Sequence, residues 1–272
     1  MKLKRKKNSN SIYLFIIILV TILVFSKLFL NIRYSGHDTT FHVTNIIKLS
    51  ETISFDNIFG SDLITYEFNK FGYGVWLFYP KLPHLVAAYT HLIVKDIYLS
   101  MKIVYFITTL LSGILMYYLS KKIFNDRKIA LLSSLIYITV PYHICEIYIR
   151  DAFAENFMFM VLPMIFLGLY NLKDNNYFKF YIFFILGYII GINSHLGSMF
   201  FYTIFIGLFI LYYRHDFFRK EKFKALIIST LIVTGVCLSF LGPLLEHKIF
   251  GNYRVFTEVF SNLTEVQIFS LD

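Results

Sequence analysis

Three short polar stretches interrupt an otherwise apolar chain, and each holds residues capable of chemistry. The first is Gly36-His37-Asp38-Thr39-Thr40-Phe41-His42. A carboxylate such as Asp38 can serve as a general base toward an acceptor hydroxyl. It can equally ligate a divalent cation, Mg or Mn, held against phosphate oxygens. Gly36 would let the backbone approach a ligand closely. The competing reading is that Asp38 N-caps the helix that follows, a frequent role for Asp. His37 and His42 are candidate phosphate contacts or plain interfacial polar residues, and their spacing is no zinc signature.

The second stretch is Glu146-Ile147-Tyr148-Ile149-Arg150-Asp151-Ala152-Phe153-Ala154-Glu155. In a continuous helix Asp151 and Glu155 would share a face at i, i+4, as would Glu146 and Arg150. Arg150 could clamp a phosphate bidentately, with Asp151 and Glu155 orienting it or binding sugar hydroxyls. The alternative is a structural ion pair closing a loop. The third stretch is Asn193-Ser194-His195. His195 could donate to a phosphate or acceptor oxygen, or act as a turn residue in a helix hairpin. Glu246, His247 and Lys248 read as a solvated helix end.

The elements that must position these residues are membrane helices. The chain has 272 residues, of which 57% are apolar and only 16% charged, against about 25% charged in soluble domains. A spanning helix needs roughly 20 apolar residues. The run Ile12–Leu30 is too long for a signal-peptide core and no A-x-A site follows it, so it reads as a first span. Further runs are Met101–Ser120, Ile129–His143, Asn156–Leu172, Phe180–Ile192, Leu196–Tyr213 and Ala225–Leu245.

Leu82–Val94 decides the topology. It is apolar but short, it contains His84 and His91, and Pro80 and Pro83 break its start. As a span it would turn Lys121–Lys128 and Arg214–Lys224 outward, against the positive-inside rule. As a re-entrant or interfacial helix it leaves the larger part of the 26 Lys and Arg in cytoplasmic segments and the larger part of the 17 Asp and Glu outside. The expectation is an all-α bundle of about seven spans in the plasma membrane, N-terminus inside. Residues 1–10 form a basic cytoplasmic tail, 11–272 a single membrane domain, and 31–100 a long first outer loop. In that loop Val43, Ile46, Ile47 and Ile53 mark the apolar face of an amphipathic surface helix, with Asn45, Lys48, Glu51 and Thr52 mostly opposite. All His but His215 then lie outside.

The net charge of +9 is therefore a topology signal, and no nucleic-acid partner is expected. Cys145 and Cys237 are too few for a disulfide framework. The aromatic stretch from Gly72 to Pro80 suits an interfacial belt or a sugar or headgroup contact. No G-x-G-x-x-G, P-loop, G-x-S-x-G or H-E-x-x-H is present. A substrate would come from the membrane or the outer compartment. Asn262-Leu263-Thr264 matches a glycosylation sequon, with no modification expected in a prokaryote-like chain.

The order of motifs carries a resemblance. Gly36-His37-Asp38 with Phe41-His42, Gly72-Tyr73-Gly74 with Phe78-Tyr79-Pro80, and Arg150-Asp151-Ala152-Phe153-Ala154-Glu155 with Leu162-Pro163 come in sequence. Ser194-His195 and Gly242-Pro243-Leu244-Leu245-Glu246 follow. Over Gly36 to Glu246 this resembles the bacterial membrane proteins labelled 6-pyruvoyl-tetrahydropterin-synthase-related, whose layout is similar to the GT-C glycosyltransferases. The resemblance implies transfer of a sugar from a polyprenyl-phosphate donor at the outer face. It also implies that Asp38, in the place of the first-loop acidic residue, is the catalytic or metal-binding group. The chain departs from the pattern in having one Asp where GT-C first loops commonly have an acidic pair. No zinc-binding histidine triad of a pterin synthase is legible. Similar proteins are longer, so a fragment of a longer enzyme is one expectation; a non-catalytic lipid or glycan binder or transporter is the other alternative.

Overall fold

The fold is described from a computed structural model and covers residues 10–30, 35–62 and 74–251. The basic N-terminal residues, Gly72 and Tyr73 of the aromatic stretch, and the sequon at Asn262 lie outside the described residues. Every regular element among those described is helical.

In chain order the helices are α1 (Ser11–Leu30), α2 (Thr39–Thr52), α3 (Leu82–Val94), α4 (Ile97–Phe124), α5 (Arg127–Thr139), α6 (Pro141–Cys145), α7 (Phe153–Lys173), α8 (Tyr177–Ile192), α9 (Leu196–Tyr212), α10 (Arg214–Phe217) and α11 (Lys220–Phe250). A 3₁₀ turn, Val75–Leu77, precedes α3, and a π turn, Glu146–Arg150, follows α6. Short polar residues set the boundaries. Asp96 accepts from the Leu99 amide, Asp126 from Lys128 and Ile129, and Asn176 from Lys179. These bonds satisfy amides that helix starts leave open. Lys95, Asn125 and Asn175 adopt left-handed φ where the preceding turns stop.

Five helical segments are long and apolar enough to cross a membrane: Ser11–Leu30, Ile97–Phe124, the composite Arg127–Arg150, Phe153–Lys173 and Lys220–Phe250. Their outward faces are lipid-like; Phe15, Leu23 and Leu231 are each more than 60% exposed. Two sequence expectations shift. The run Ile129–His143 is not one helix: Pro141 cannot continue the ladder of α5, so the segment restarts and runs on to Arg150. Helices α8 and α9, at 16 and 17 residues, reach only about 24–26 Å at 1.5 Å per residue, short of the bilayer core.

The two ends of the bundle differ in chemistry. At one end Lys121 and Tyr117 of α4 both bond the Asn10 side chain, Lys122 pairs with Asp174, and Lys222 bonds the Lys173 carbonyl. That end therefore gathers the start of α1, the α4–α5 and α7–α8 turns and the start of α11. At the other end the 35–38 segment meets the π turn, and the α8–α9 turn meets the start of α7. Both ends of α3 lie there: the Leu82 amide donates to the Asn193 carbonyl in the α8–α9 turn, and Val94 leads straight into the start of α4. With 13 residues, α3 is about 20 Å long. It therefore lies along that end of the bundle.

The buried face of α2 differs from the apolar stripe expected. It is built from Thr39, His42, Asn45, Ile46, Leu49 and Ser50, and Ile53 lies beyond the helix. The reason is a protein partner. Helix α2 packs on α3, whose buried residues are Pro83, His84, Ala87 and Ala88, so His42 goes inside against His84 while Thr39 goes inside toward Asp151.

Candidate functional site

The site is assembled from main chain first. The His37 amide donates to the Ile149 carbonyl at 3.1 Å, and the Asp38 amide to the Arg150 carbonyl at 2.9 Å. These two bonds lay the first polar stretch directly on the second. The contact is close enough to require glycine: a Cβ on Gly36 would lie 2.7 Å from the Asp151 Cβ, 2.8 Å from the Ile149 oxygen and 2.9 Å from the Asp151 nitrogen. The Gly36 amide donates to Thr39 Oγ1 at 2.7 Å, closing the turn.

Asp151 anchors this junction. It takes the left-handed conformation, φ 56°, which a short polar side chain tolerates better than most. Its carboxylate is fully buried and accepts from the Thr39 hydroxyl at 2.5 Å and the Tyr105 hydroxyl at 2.7 Å. The expected helix through Asp151 and Glu155 is thus broken at Asp151. The i, i+4 face does not form, and Asp151 points inward, where it cannot meet a substrate phosphate. It holds the Asp38 loop instead. Tyr105, in the middle of an apolar run, carried no sequence signal for this role beyond its hydroxyl.

Asp38 occupies the N-cap position of α2, yet its side chain makes no capping bond. It is exposed, and among the described residues its carboxylate has no hydrogen-bond or ion-pair partner. The capping reading of this residue is not realised. His37 is exposed beside it. Tyr79 lies near both Asp38 and Glu155: burial, then the charges of those two carboxylates, push its phenol well above the usual range.

The break at Asp151 brings Arg150 and Glu155 together across the turn. Arg150 Nη1 donates to Glu146 Oε1 at 2.5 Å and to Glu155 Oε2 at 2.8 Å. Glu146 is fully buried, and its Oε2 has no hydrogen-bond partner among the described residues. The Arg150 side chain remains 39% exposed. Its Nε and Nη2 groups make no bond to a described residue, leaving one edge of the guanidinium fork open. The ion-pair reading of Arg150 is therefore realised.

His195 caps α9. Its Nδ1 accepts from the Ser198 amide at 3.2 Å and lies 2.9 Å from the Ser198 hydroxyl. An Nδ1 that accepts assigns the proton of the neutral ring to Nε2. That Nε2 lies 3.7 Å from Glu155 Oε1. Burial lowers the His195 pKa, Glu155 opposes the shift and Arg150 adds to it. The row Glu146–Arg150–Glu155–His195 thus joins the second and third polar stretches.

His42 is elsewhere. Expected as a substrate contact, it is 2% exposed and its Nδ1 lies 2.8 Å from His84 Nε2. Phe41, Trp76, Tyr79 and Phe153 surround the pair. Burial pushes His42 down to about 3. Burial, then neighbouring His42, pushes His84 well below its ordinary range. Both rings are neutral at pH 7, and their work is to join α2 to α3.

Among the described residues no group of three or more His, Cys, Asp or Glu converges to hold a metal ion. Asp38 would be the single ligand supplied by the described residues, and one carboxylate does not by itself hold a Mg or Mn ion. A cleft of about 390 Å³ lies at the same end between the 3₁₀ turn, α3, α8 and α11, lined by Trp76, Leu82, Leu85, Ile189 and Pro243, with Lys81 and, from the third polar stretch, Asn193. No known family model, characterised protein or solved structure matches the chain.

Proposed function

We propose that this protein transfers a sugar from a polyprenyl-phosphate donor to an acceptor hydroxyl at the outer face of a bacterial plasma membrane. The observation that carries the reading is the junction of Asp38 with Arg150. An uncapped, exposed carboxylate is bonded through its own amide to the carbonyl of an arginine whose fork has an open edge. A base and an anion contact on one rigid support are what sugar transfer from a phosphate requires. The resemblance of the motif order to the GT-C-like membrane proteins adds to it.

In this scheme Asp38 takes the proton of the acceptor hydroxyl as its oxygen bonds to the anomeric carbon. The bond from that carbon to the phosphate oxygen breaks, and the electron pair leaves with the polyprenyl phosphate. Arg150 matches the charge developing on that phosphate, and the Nε2 proton of His195 donates a hydrogen bond to it. Glu155 orients both. The apolar cleft beside Lys81 takes the prenyl chain.

The chain passes seven times between the basic end and the end bearing Asp38, through α1, α4, the composite α5–α6–π segment, α7, α8, α9 and α11. The basic residues at one end support placing it in the cytoplasm. A membrane-impermeant thiol reagent applied to whole cells would then label Thr40→Cys and not Asn125→Cys; the reverse pattern sinks the orientation.

The test of function is transfer by membranes containing Asp38→Ala, given a radiolabelled polyprenyl-phosphate sugar. Transfer falls by a factor on the order of 10² to 10⁴ while the variant remains in the membrane. Undiminished transfer overturns the assignment.

A further inference from the structure

The bundle holds a second cavity, at the end opposite Asp38 and rimmed by lysines. It measures about 520 Å³ and lies between α4, α7 and α8. Lys121, Lys122 and Lys179 line it, with Asn171 and an apolar wall that includes Leu167 and Phe183.

The cations there are incompletely balanced. Lys122 pairs with Asp174 at 2.6 Å. Lys121 bonds only the neutral side-chain oxygen of Asn10, at 3.0 Å, among the described residues. Lys179 is exposed and has no ion-pair partner among them. It also sits in the first turn of α8, where the helix dipole disfavours a cation. Three ammonium groups thus face one carboxylate. Asn171 is 4% exposed and its Nδ2 is occupied by the Leu167 carbonyl at 2.7 Å, which fixes it as a rigid floor.

We propose that this cavity binds the phosphate of an anionic membrane phospholipid, its acyl chains lying along the apolar wall. A cluster of lysines beside a hydrocarbon surface meets both halves of such a ligand. A soluble anion would use the lysines and leave the Leu167 and Phe183 wall without a counterpart. The site shares no residue with the proposed transfer site, so it stands or falls separately.

The full chain in mild detergent, studied by native mass spectrometry, provides the test. Phosphatidylglycerol is expected to bind about tenfold more tightly than phosphatidylcholine, and millimolar inorganic phosphate should leave it in place. Lys121→Gln, Lys122→Gln and Lys179→Gln together should abolish the preference. Lys122→Gln strands Asp174 and could loosen the helix ends, so Lys179→Gln alone is the second variant. It removes an exposed side chain and should weaken phosphatidylglycerol binding about fivefold. Equal binding of the two lipids, unchanged binding by Lys179→Gln, or displacement by inorganic phosphate overturns the proposal.

Discussion

Asp38 and Arg150 are joined main chain to main chain: the amide of the first donates to the carbonyl of the second at 2.9 Å. Neither side chain is consumed by the bond. The arrangement fixes the two residues side by side while leaving the Asp38 carboxylate without a described partner and one edge of the Arg150 guanidinium open beside its bonds to Glu146 and Glu155, and it explains why the residues around the bond are so constrained.

Gly36 is the most exacting of those residues. A methyl group there meets the Asp151 nitrogen and the Ile149 oxygen inside 3 Å, and backbone atoms cannot step aside as a side-chain tip can. Gly36→Ala is expected to lift the loop from the π turn and cost about 1–3 kcal/mol. Thermal unfolding in detergent checks the stability, and the transfer assay should show a loss approaching that of Asp38→Ala.

Asp151 and Tyr105 should behave as one unit. Removing the carboxylate strands two buried hydroxyls, so Asp151→Ala is expected to cost about 1–3 kcal/mol. Tyr105→Phe removes one partner of the same network. In a double-mutant cycle the second change should then cost clearly less than it does alone; full additivity would show that the 2.7 Å bond contributes nothing.

His195 has two roles that substitution can separate. Asn caps helices well, so His195→Asn should stay within about 0.5 kcal/mol of the native stability. It lacks the Nε2 donor, and transfer should fall. His195→Ala loses the cap too and should cost about 1 kcal/mol more. Equal activity in the Asn variant and the native protein would remove His195 from the transfer site.

The buried histidine pair sets a pH limit on stability. Above about pH 6.5 His42 is neutral in both folded and unfolded chains. As pH falls from 6.5 toward its folded value of about 3, only the unfolded chain takes up the proton. Stability is therefore full above that window and is lost within it, by about 1.4 kcal/mol per pH unit from His42 alone. Melting of the detergent-solubilised protein at pH 7 and pH 5 measures this. His42→Gln should melt with a shallower pH dependence.

Much of the helical framework is legible in the sequence. Apolar run length locates α1, α4, α7 and α11, because a helix in hydrocarbon needs a minimum number of apolar residues. Pro80 and Pro83 mark the start of α3, and the apolar run from Leu82 to Val94 matches its extent. The charge asymmetry separated the ends, since Lys and Arg concentrate in turns on one side.

The sites needed more. That Asp38 and Arg150 belong near one another follows from topology alone, because both polar stretches emerge at the same end of the bundle. Which side chains face outward does not follow. Helical spacing puts Asp151 beside Glu155, because a one-dimensional reading assumes that a helix continues, and His42 reads as a candidate phosphate contact from its residue type and its place in the first polar stretch. In the folded chain a left-handed turn at Asp151 sends its carboxylate to Thr39 and Tyr105, and the packing of α2 on α3 turns His42 toward His84. Residue type and order determine the membrane class, the apolar segments and the grouping of polar stretches, since these rest on local hydrophobicity and chain reach. The division between residues that hold the site and residues that face a ligand rests on long-range contacts, where a buried polar group must find its partner, and only the tertiary structure decides it.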